Sequence, residues 1–206
     1  MNAPRLLTHR DGLAFVCKPA GMPTHRNAEG VPDLVGWLLE QGKLLRRTRP
    51  VHRLDRDTSG VLLCAERPQR AAASAWFEAG EVEKTYLAMV HGRVHATGTI
   101  SAPIDGQPAT TEVVLVESLL AAGRPLSLVS LTPRSGRRHQ LRRHLLHIRH
   151  PILGDRRYQS RRASPVDGAP DRLWLHAARL AVPGRPPVEA PLPAVLSEHL
   201  SMLRAS

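Results

Sequence analysis

Aromatic residues are scarce in this 206-residue chain, where Phe, Trp and Tyr together make up 3%. Aliphatic side chains must therefore form most of the core. The hydrophobic share of 42% excludes an intrinsically disordered chain. Cysteine is also rare, because only Cys17 and Cys64 occur, each inside an apolar run. We expect both to be buried free thiols rather than a disulfide or a metal site.

Long hydrophobic runs are missing as well. No stretch approaches the roughly 20 apolar residues of a membrane-spanning helix, and residues 1–5 lack the hydrophobic region of a signal peptide. We therefore expect a cytoplasmic protein that does not contact a membrane. Acidic residues are fewer than basic ones. The chain has 18 Asp and Glu and 29 Lys and Arg, which gives a formal net charge of +11. This excess favours a polyanionic partner, and nucleic acid fits better than an anionic membrane surface.

The hydrophobic spacing predicts an α+β fold with a mixed, largely antiparallel β-sheet and flanking helices, because short strands are partly joined by hairpins. Strands are predicted at residues 12–18, 61–65, 83–92, 112–120, 126–131 and 173–182. Helices are predicted at residues 31–41, 69–79, 138–148 and 193–203. We expect a basic connector at residues 46–50 and a polar loop at residues 160–170. No linker is long enough to separate independent domains.

Asp55 has the most unusual surroundings of the acidic residues, since it lies between Arg53 and Arg56 just before a predicted turn and a buried strand. The two guanidinium groups should keep its carboxylate ionised. Such a carboxylate repels phosphate, so on a polyanion-binding surface it makes sense if it acts on a sugar carbon or a base while arginines hold the phosphates. The alternative is a solvated turn with local ion pairs.

The densest basic segment is Arg134–Arg162, which contains ten arginines and one acidic residue, Asp155. On the predicted helix, Arg138, Arg142 and Arg149 fall within about 40° of one another, so one edge of it would be cationic. The planar fork of arginine suits phosphates and stacked bases. A solvated basic face is the alternative interpretation.

Four histidines in this segment, His139, His144, His147 and His150, raise the alternative of a metal site. No cysteine lies nearby, and the surrounding positive charge opposes cation binding. We expect no metal and assign these side chains to RNA contacts or ordinary packing.

Tyr86 is one of two tyrosines and lies on the predicted strand at residues 83–92. On a strand its ring can stack on a base while its hydroxyl remains available for proton transfer. The alternative is a tyrosine that belongs to the core or to the sheet face.

These segments, in this order, resemble the RluA-type family of pseudouridine synthases. The central motif is His52-Arg53-Leu54-Asp55 followed by Thr58-Ser59-Gly60-Val61-Leu62-Leu63. The other similar segments are Cys17-Lys18-Pro19-Ala20-Gly21 with His25, Lys84-Thr85-Tyr86 with Gly92, Ser135-Gly136-Arg137 with His139-Gln140-Leu141-Arg142, His150-Pro151-Ile152-Leu153-Gly154-Asp155, and Leu175-His176-Ala177. The resemblance covers roughly residues 12–182 and is specific because the segments match in register.

The resemblance implies a catalytic cleft between two halves of the fold and assigns roles to four residues. Asp55 would be the catalytic aspartate, and Arg53 would take the place of the flipped uridine in the stack. Arg142 would pair with Asp55, and Tyr86 would pack on the target base and assist removal of its C5 proton. The expected RNA-binding residues are His52, Arg53, Arg56, Arg137, Arg138, His139, Gln140 and Arg143.

The activity implied by the resemblance is isomerisation of specific uridines in structured RNA, after the base is extruded from the stack. Asp55 would either attack C1′ or remove a proton from C2′, and the residues do not decide between these. Bonds are exchanged within one nucleotide, so we expect no cofactor, no metal and no obligate protein partner. The sequence accordingly lacks a phosphate-binding glycine loop.

We expect residues 1–206 to form a single catalytic domain with no separate N-terminal RNA-binding module, since residues 1–11 leave no room for one. Residues 139–145 and the His25-Arg26 pair are most similar to the bacterial branch that acts on tRNA position 65. This similarity favours tRNA as the substrate, with ribosomal RNA as the alternative.

Two other functions fit the residues less well. A non-catalytic RNA-binding protein of the same fold would have replaced Asp55, Tyr86 or Arg142, and all three are present. An aspartate-dependent hydrolase that uses Asp55 and Asp57 would need an apolar strand before the first aspartate, whereas residues 51–54 are half polar.

Overall fold

The computed structural model describes residues 3–25, 30–95, 97–158, 166 and 168–205. The chain divides into two compact units. The first consists of Met1–Lys84 with Ala177–Pro191, and the second of Thr85–His176 with Leu192–Ser206. Arg26 and most of the predicted loop at residues 160–170 lie outside the described residues.

Runs of strands are separated by helices along the described residues. The strands are β1 (Arg5–Arg10), β2 (Leu13–Lys18), β3 (Thr48–Pro50), β4 (Ser59–Glu66), β5 (Glu83–His91), β6 (Gly98–Ser101), β7 (Thr110–Ala121), β8 (Arg124–Pro133), β9 (Leu175–Ala181) and β10 (Val188–Glu189). The helices are α1 (Leu34–Glu40), α2 (Gly42–Leu45), α3 (Arg67–Glu78), α4 (Gln140–His147) and α5 (Ala194–Arg204). Strands β5 and β9 contain residues of both units.

The first unit is built on the strand order β1-β2-β4-β9, with β3 paired to β4 and β10 paired to β9. Strand β2 lies between β1 and β4 and pairs antiparallel with both. Its central position explains its continuous apolar run, since almost every one of its side chains is buried. The core under this sheet includes Phe15, Leu63 and Leu180, and Ala73 of α3 packs against them.

Helix α1 starts later than the hydrophobic spacing predicts. Asp33, inside the predicted range of residues 31–41, is the N-cap residue, and its carboxylate accepts a hydrogen bond of 3.0 Å from the amide of Gly36. Gly42, directly after that range, lies at φ +67°, and α2 begins there.

The second unit is built on the strand order β5-β8-β7-β6, and each neighbouring pair is antiparallel. The strands predicted at residues 112–120 and 126–131 are confirmed as β7 and β8, which form an antiparallel hairpin. Its turn consists of Ala122 at φ 46° and Gly123 at φ 77°, the two positive φ angles of a type I′ turn. Met89, Leu131, Leu145 and Trp174 lie in the core of this unit, and each is fully buried.

Several short elements differ from the predictions. Residues 46–50 were expected to form a connector, but β3 occupies Thr48–Pro50 and pairs with β4. Arginine and proline in a three-residue edge strand give no alternating pattern, so the sequence does not mark it. Strands β1, β6 and β10 were also not predicted.

The two cysteines are free thiols, as predicted. Cys64 is buried, whereas Cys17 is only partly buried. Burial raises the pKa of both thiols, which makes them poor nucleophiles at neutral pH. Among the described residues, no helix is long and apolar enough to cross a membrane.

Candidate active site

Asp55 lies in the loop between β3 and β4, in the first unit. Asp55 is partly exposed, and Arg53 and Arg56, which lie on either side of it in the sequence, are exposed to solvent. The carbonyl oxygen of Asp55 accepts a hydrogen bond of 3.2 Å from the amide of Thr58, which closes a tight turn. Leu54 points the other way and is 4% exposed, so the loop is anchored by the residue before Asp55.

A buried lysine ties this loop to the turn after β2. Lys18 is fully buried, and its ammonium donates to the carbonyl oxygens of Pro19 and Met22 at 2.8 Å and of Arg56 at 3.1 Å. The Arg56 guanidinium in turn donates to the carbonyl of Gly21. A buried ammonium requires such acceptors, so the burial of Lys18 and the position of the loop depend on each other.

Thr24 fixes the residue that precedes Asp55. Its hydroxyl donates to the carbonyl oxygen of Leu54 at 3.0 Å and accepts from the amide of Leu54 at 3.2 Å. Both backbone polar groups of Leu54 are thereby bound on one side of Asp55, and the carbonyl of Arg56 is bound by Lys18 on the other. The backbone that carries Asp55 is therefore held from both directions, as a catalytic group requires.

His52 supports the same loop from the side of β4. Its Nε2 accepts a hydrogen bond of 2.9 Å from the amide of Leu63. Its ring stacks on Phe77, with the ring centroids 4.4 Å apart. Burial, assisted by the positive charge of Lys84, lowers the pKa of His52 to about 3, so the imidazole is neutral at physiological pH. This geometry gives His52 a structural role, and its RNA contact stays a prediction.

A pH-dependence of stability follows from this low pKa. In the unfolded chain the His52 imidazole has a pKa of about 6.5. Between this pKa and the lower pKa of the folded state, the imidazole is protonated in the unfolded chain but not in the folded protein. The free energy of unfolding therefore falls as the pH drops from about 6.5 towards 3, by up to roughly 1.4 kcal/mol per pH unit for this one group. His52→Gln keeps an acceptor for the Leu63 amide but does not titrate.

We expect urea unfolding at pH 7 and pH 4.5 to show a smaller loss of stability for His52→Gln than for the wild type. His147→Gln, at an exposed position, should keep the wild-type loss. Equal losses in all three proteins would show that His52 is protonated in the folded state.

Tyr86 lies on β5, opposite Leu131 of β8. Its face of the strand continues with Ala88 and Val90, which are fully buried, whereas Tyr86 itself is partly exposed and packs against the edge of this core. The strand thus fixes the ring at the point where the buried stripe reaches the surface.

Arg142 lies on the buried face of α4 in the second unit. Its guanidinium forms a bidentate ion pair with Asp155, in which Nε and Nη2 each donate at 2.7 Å. The predicted cationic edge of Arg138, Arg142 and Arg149 is wrong, because neither Arg138 nor Arg149 belongs to the helix. His139 at φ 54° ends the helical conformation on one side, and Arg149 at φ 65° ends it on the other.

The carboxylate partner of Arg142 within its own unit is therefore Asp155. The pairing of Arg142 with Asp55 that the resemblance implies stays a prediction.

Gln140, predicted to bind RNA, is buried and holds the basic loop that precedes α4. Its Oε1 accepts from the Ser135 hydroxyl at 2.7 Å and from the Arg137 amide at 3.0 Å. Its Nε2 donates to the Thr110 carbonyl at 2.9 Å and to the Thr111 hydroxyl at 3.0 Å. The amide thus uses both its acceptor and its donor side within the protein, and it fixes the loop that carries Arg137 and Arg138.

The other predicted RNA-binding side chains of this unit differ in exposure. Arg137 and Arg138 are exposed. Arg143 is partly exposed and pairs with Asp105 at 2.9 Å. His139 is also partly exposed, and its Nδ1 lies 2.9 Å from the hydroxyl of Tyr158. The exposed arginines can reach a polyanion directly, and the surface pair of Arg143 is weak enough to be exchanged.

His144 is the histidine of α4 that packs into the interior, whereas His147 is exposed. His144 is buried, with Nε2 donating to the Ala102 carbonyl at 3.0 Å and Nδ1 lying 2.9 Å from the Thr111 hydroxyl. Burial lowers the pKa of His144. Across the part of the chain that the structure describes, no group of three or more His, Cys, Asp or Glu side chains is arranged to hold a metal ion.

Four residues of the site carry contacts that the sequence did not reveal: Lys18, Thr24, Asp155 and Tyr158. A lysine at the end of an otherwise apolar strand, directly before a proline, is the one local signal among them. The partners of Thr24 and Asp155 lie elsewhere in the chain, so no spacing pattern marks these two residues.

Comparison with known proteins identifies the family of proteins that this chain resembles. A family model described as RNA pseudouridylate synthase matches residues 12–147. The tRNA pseudouridine synthase C of Haemophilus ducreyi is 36% identical over 203 residues, covering 85% of this chain and 83% of that protein. The protein of the same name from Yersinia pestis is 37% identical over 197 residues, covering 82% of this chain and 76% of that protein.

A solved structure of human RNA pseudouridylate synthase domain containing 4 has the same fold. Its TM-score is 0.80 at 24% identity, over 97% of this chain and 93% of that one. The predicted α+β class with a mixed, largely antiparallel sheet is confirmed. The chain belongs to the RNA pseudouridylate synthase family, isomerases that convert uridine in RNA to pseudouridine.

Proposed function

We propose that this protein isomerises a specific uridine in tRNA and that Asp55 is its catalytic carboxylate. The observation that carries the role of Asp55 is the loop around it. Thr24 and Lys18 bind the backbone on both sides of a partly exposed carboxylate, which stands between two exposed arginines. The relatives named tRNA pseudouridine synthase C support tRNA as the substrate.

In the proposed reaction the target uridine first leaves the RNA stack, at a cost of a few kcal/mol. The exposed guanidinium of Arg53 fills the place of the base and offsets part of this cost. Asp55 then attacks C1′ or removes a proton from C2′, and the bond between N1 and C1′ breaks. The detached base turns and forms a bond from C5 to C1′. If Asp55 attacked C1′, the ester bond between its oxygen and C1′ breaks in this step and frees the carboxylate; if it removed the C2′ proton, that proton returns to C2′. The C5 proton leaves, and N1 ends with a proton.

Tyr86 and Arg142 complete the proposed catalytic set. Tyr86 combines an aromatic face, which stacks on a base, with a hydroxyl that can relay the C5 proton. Arg142 supplies a permanent positive charge for a developing anion. The RNA backbone would be held by exposed or partly exposed basic side chains, namely Arg56, Arg137, Arg138 and Arg143. Their charge makes RNA affinity depend strongly on salt.

The experiment is a comparison of RNA classes with the purified chain. A set of unmodified tRNA transcripts and unmodified ribosomal RNA fragments is incubated with the protein, and pseudouridine is mapped at nucleotide resolution. We expect modification at one position of a subset of tRNAs and none in ribosomal RNA. Modification of ribosomal RNA alone would overturn the tRNA assignment but keep the activity. The absence of pseudouridine in both would overturn the activity itself.

We also propose that the protein works in the cytoplasm and without an obligate protein partner. The free thiol of the buried Cys64 supports a reducing compartment. Because the RNA comparison uses the purified chain, it tests the second point directly. Activity that appears only after addition of cell extract would contradict it.

A further inference from the structure

The Arg142 side chain is almost fully enclosed by protein, although its proposed role requires it to act on a substrate. Of its side-chain surface 8% is exposed, and of the Asp155 side chain none is. Both oxygens of the carboxylate are engaged by the guanidinium, at 2.7 Å each. Such a planar, two-point contact fixes the orientation of the guanidinium as well as its distance.

Asp155 is itself fixed by the backbone around it. Its Oδ1 also accepts hydrogen bonds of 2.9 Å from the amides of Arg157 and Tyr158. Gly154, the residue before it, lies at φ +74°, and a Cβ atom there would overlap the carbonyl oxygen of Arg172. The chain can therefore take this tight path only with glycine at that position. The carboxylate is thus placed by the main chain and not by Arg142 alone.

The ring of Tyr158 restricts the movement of the Arg142 guanidinium on another side. The Cζ atom of Arg142 lies 5.0 Å from the centroid of the Tyr158 ring, within the range of a cation–π contact. The hydroxyl of the same ring lies 2.9 Å from Nδ1 of His139, the residue that caps α4. Asp155 and Tyr158 together leave Arg142 little rotational freedom.

The charge state of Asp155 is secured by the same contacts. Burial alone would raise the pKa of its carboxyl. The hydrogen bonds from Arg142, Tyr158 and Arg157, with the charge of Arg142, outweigh burial and hold the pKa below its ordinary value. These contacts therefore favour the ionised form of the Asp155 carboxyl.

We propose that Asp155 is a positioning residue for the reaction: it holds the guanidinium of Arg142 in the orientation that catalysis needs and does not touch the substrate. This inference rests on the proposed catalytic role of Arg142. The backbone amides and the glycine turn hold Asp155 independently of Arg142, which is the arrangement expected of a support for a catalytic group. A pair that served stability alone would not affect turnover in a folded variant.

The test is a double-mutant cycle of Arg142→Ala, Asp155→Asn and the double variant, read by single-turnover rate and by RNA affinity. We expect Arg142→Ala to lower the rate at least about 100-fold and Asp155→Asn at least about 30-fold, with RNA affinity within about threefold of the wild type. In the Arg142→Ala background, Asp155→Asn should change the rate less than about twofold, because its effect passes through Arg142. Additive losses, or an unchanged rate for Asp155→Asn, would overturn the proposal.

Thermal unfolding of each variant is the control that shows whether the variant is folded. Asp155→Asn removes the carboxylate that both guanidinium contacts of 2.7 Å reach, whereas the double variant removes the guanidinium as well, so the double variant should be the more stable of the two. If Asp155→Asn does not fold, the proposal is tested with Asp155→Glu instead. It keeps the ion pair but shifts the guanidinium, and we expect at least about a tenfold slower rate at unchanged RNA affinity. A wild-type rate for Asp155→Glu would overturn the proposal.

The matched control is Asp171→Asn, which removes an exposed aspartate that pairs with Arg156. We expect no change in rate or in stability, since exposed pairs contribute little. The two proposals fail differently. An inactive wild type refutes the proposed function, whereas an active wild type with an additive cycle refutes only the role of Asp155.

Discussion

Asp55→Asn is expected to form no measurable pseudouridine, a loss of at least about a thousandfold in single-turnover rate. The amide has nearly the shape of the carboxylate but no negative charge and little basicity. It can neither attack C1′ nor accept a proton from C2′, so the loss is expected for either mechanism. Thr24 and Lys18 bind backbone groups of the loop, so these contacts should survive the substitution.

The control for Asp55→Asn is Asp57→Asn, an equal change of charge at an exposed position two residues further along. Both variants should bind RNA at least as tightly as the wild type, because each removes a negative charge from a basic surface. Pseudouridine is quantified in nuclease digests after incubation at saturating protein. A rate for Asp55→Asn within tenfold of the wild type would rule out Asp55 as the catalytic group.

Gly60→Ala is expected to cost the most stability of any single methyl group added to the first unit. Gly60 lies at φ +123°, and an added Cβ would overlap the carbonyl oxygen of Ala177 and lie 2.6 Å from its amide nitrogen. Both atoms belong to the backbone of β9, which cannot retreat without breaking its pairing. We expect a loss of at least about 4 kcal/mol in the free energy of unfolding, the range of strained backbone combined with overpacking.

Gly80→Ala separates the steric part of this effect from the conformational part. Gly80 also has a positive φ, +73°, but a Cβ there would meet no atom within 4 Å. Its cost should be about 1–2 kcal/mol, the penalty of the left-handed conformation alone. Urea unfolding of both variants, followed by circular dichroism, gives the comparison. Equal midpoints would show that the β9 backbone does move away from the added methyl group.

The strands that the sequence predicts are those with a strong local pattern. Strand β2 was predicted because an apolar run ends at a proline, and β7 and β8 because two apolar runs at residues 112–120 and 126–131 are separated by a short break. The ends of α4 were not predicted, because positive φ at His139 and Arg149 is a local backbone conformation that hydrophobic spacing does not encode. The predicted helix face therefore included Arg138 and Arg149, which lie outside α4.

The candidate site shows the same division. Asp55 and its flanking arginines could be recognised from adjacent residues. The partner of Arg142 could not, because Asp155 lies 13 residues away, beyond the end of α4 and a glycine turn. Lys18 and Thr24 act through backbone carbonyl and amide groups of the Asp55 loop, 30 or more residues along the chain. Contacts of that kind depend on the folded path of the main chain, which no residue pattern records.

Isomerisation by the Asp55 carboxylate can be followed through tritium at C5 of uridine in unmodified tRNA, with purified wild-type protein and no added nucleotide or redox cofactor. Isomerisation through a carboxylate predicts one tritium released for each pseudouridine formed in wild-type reactions, and none with Asp55→Asn. Pseudouridine without stoichiometric tritium release, or equal release by the two proteins, would contradict it.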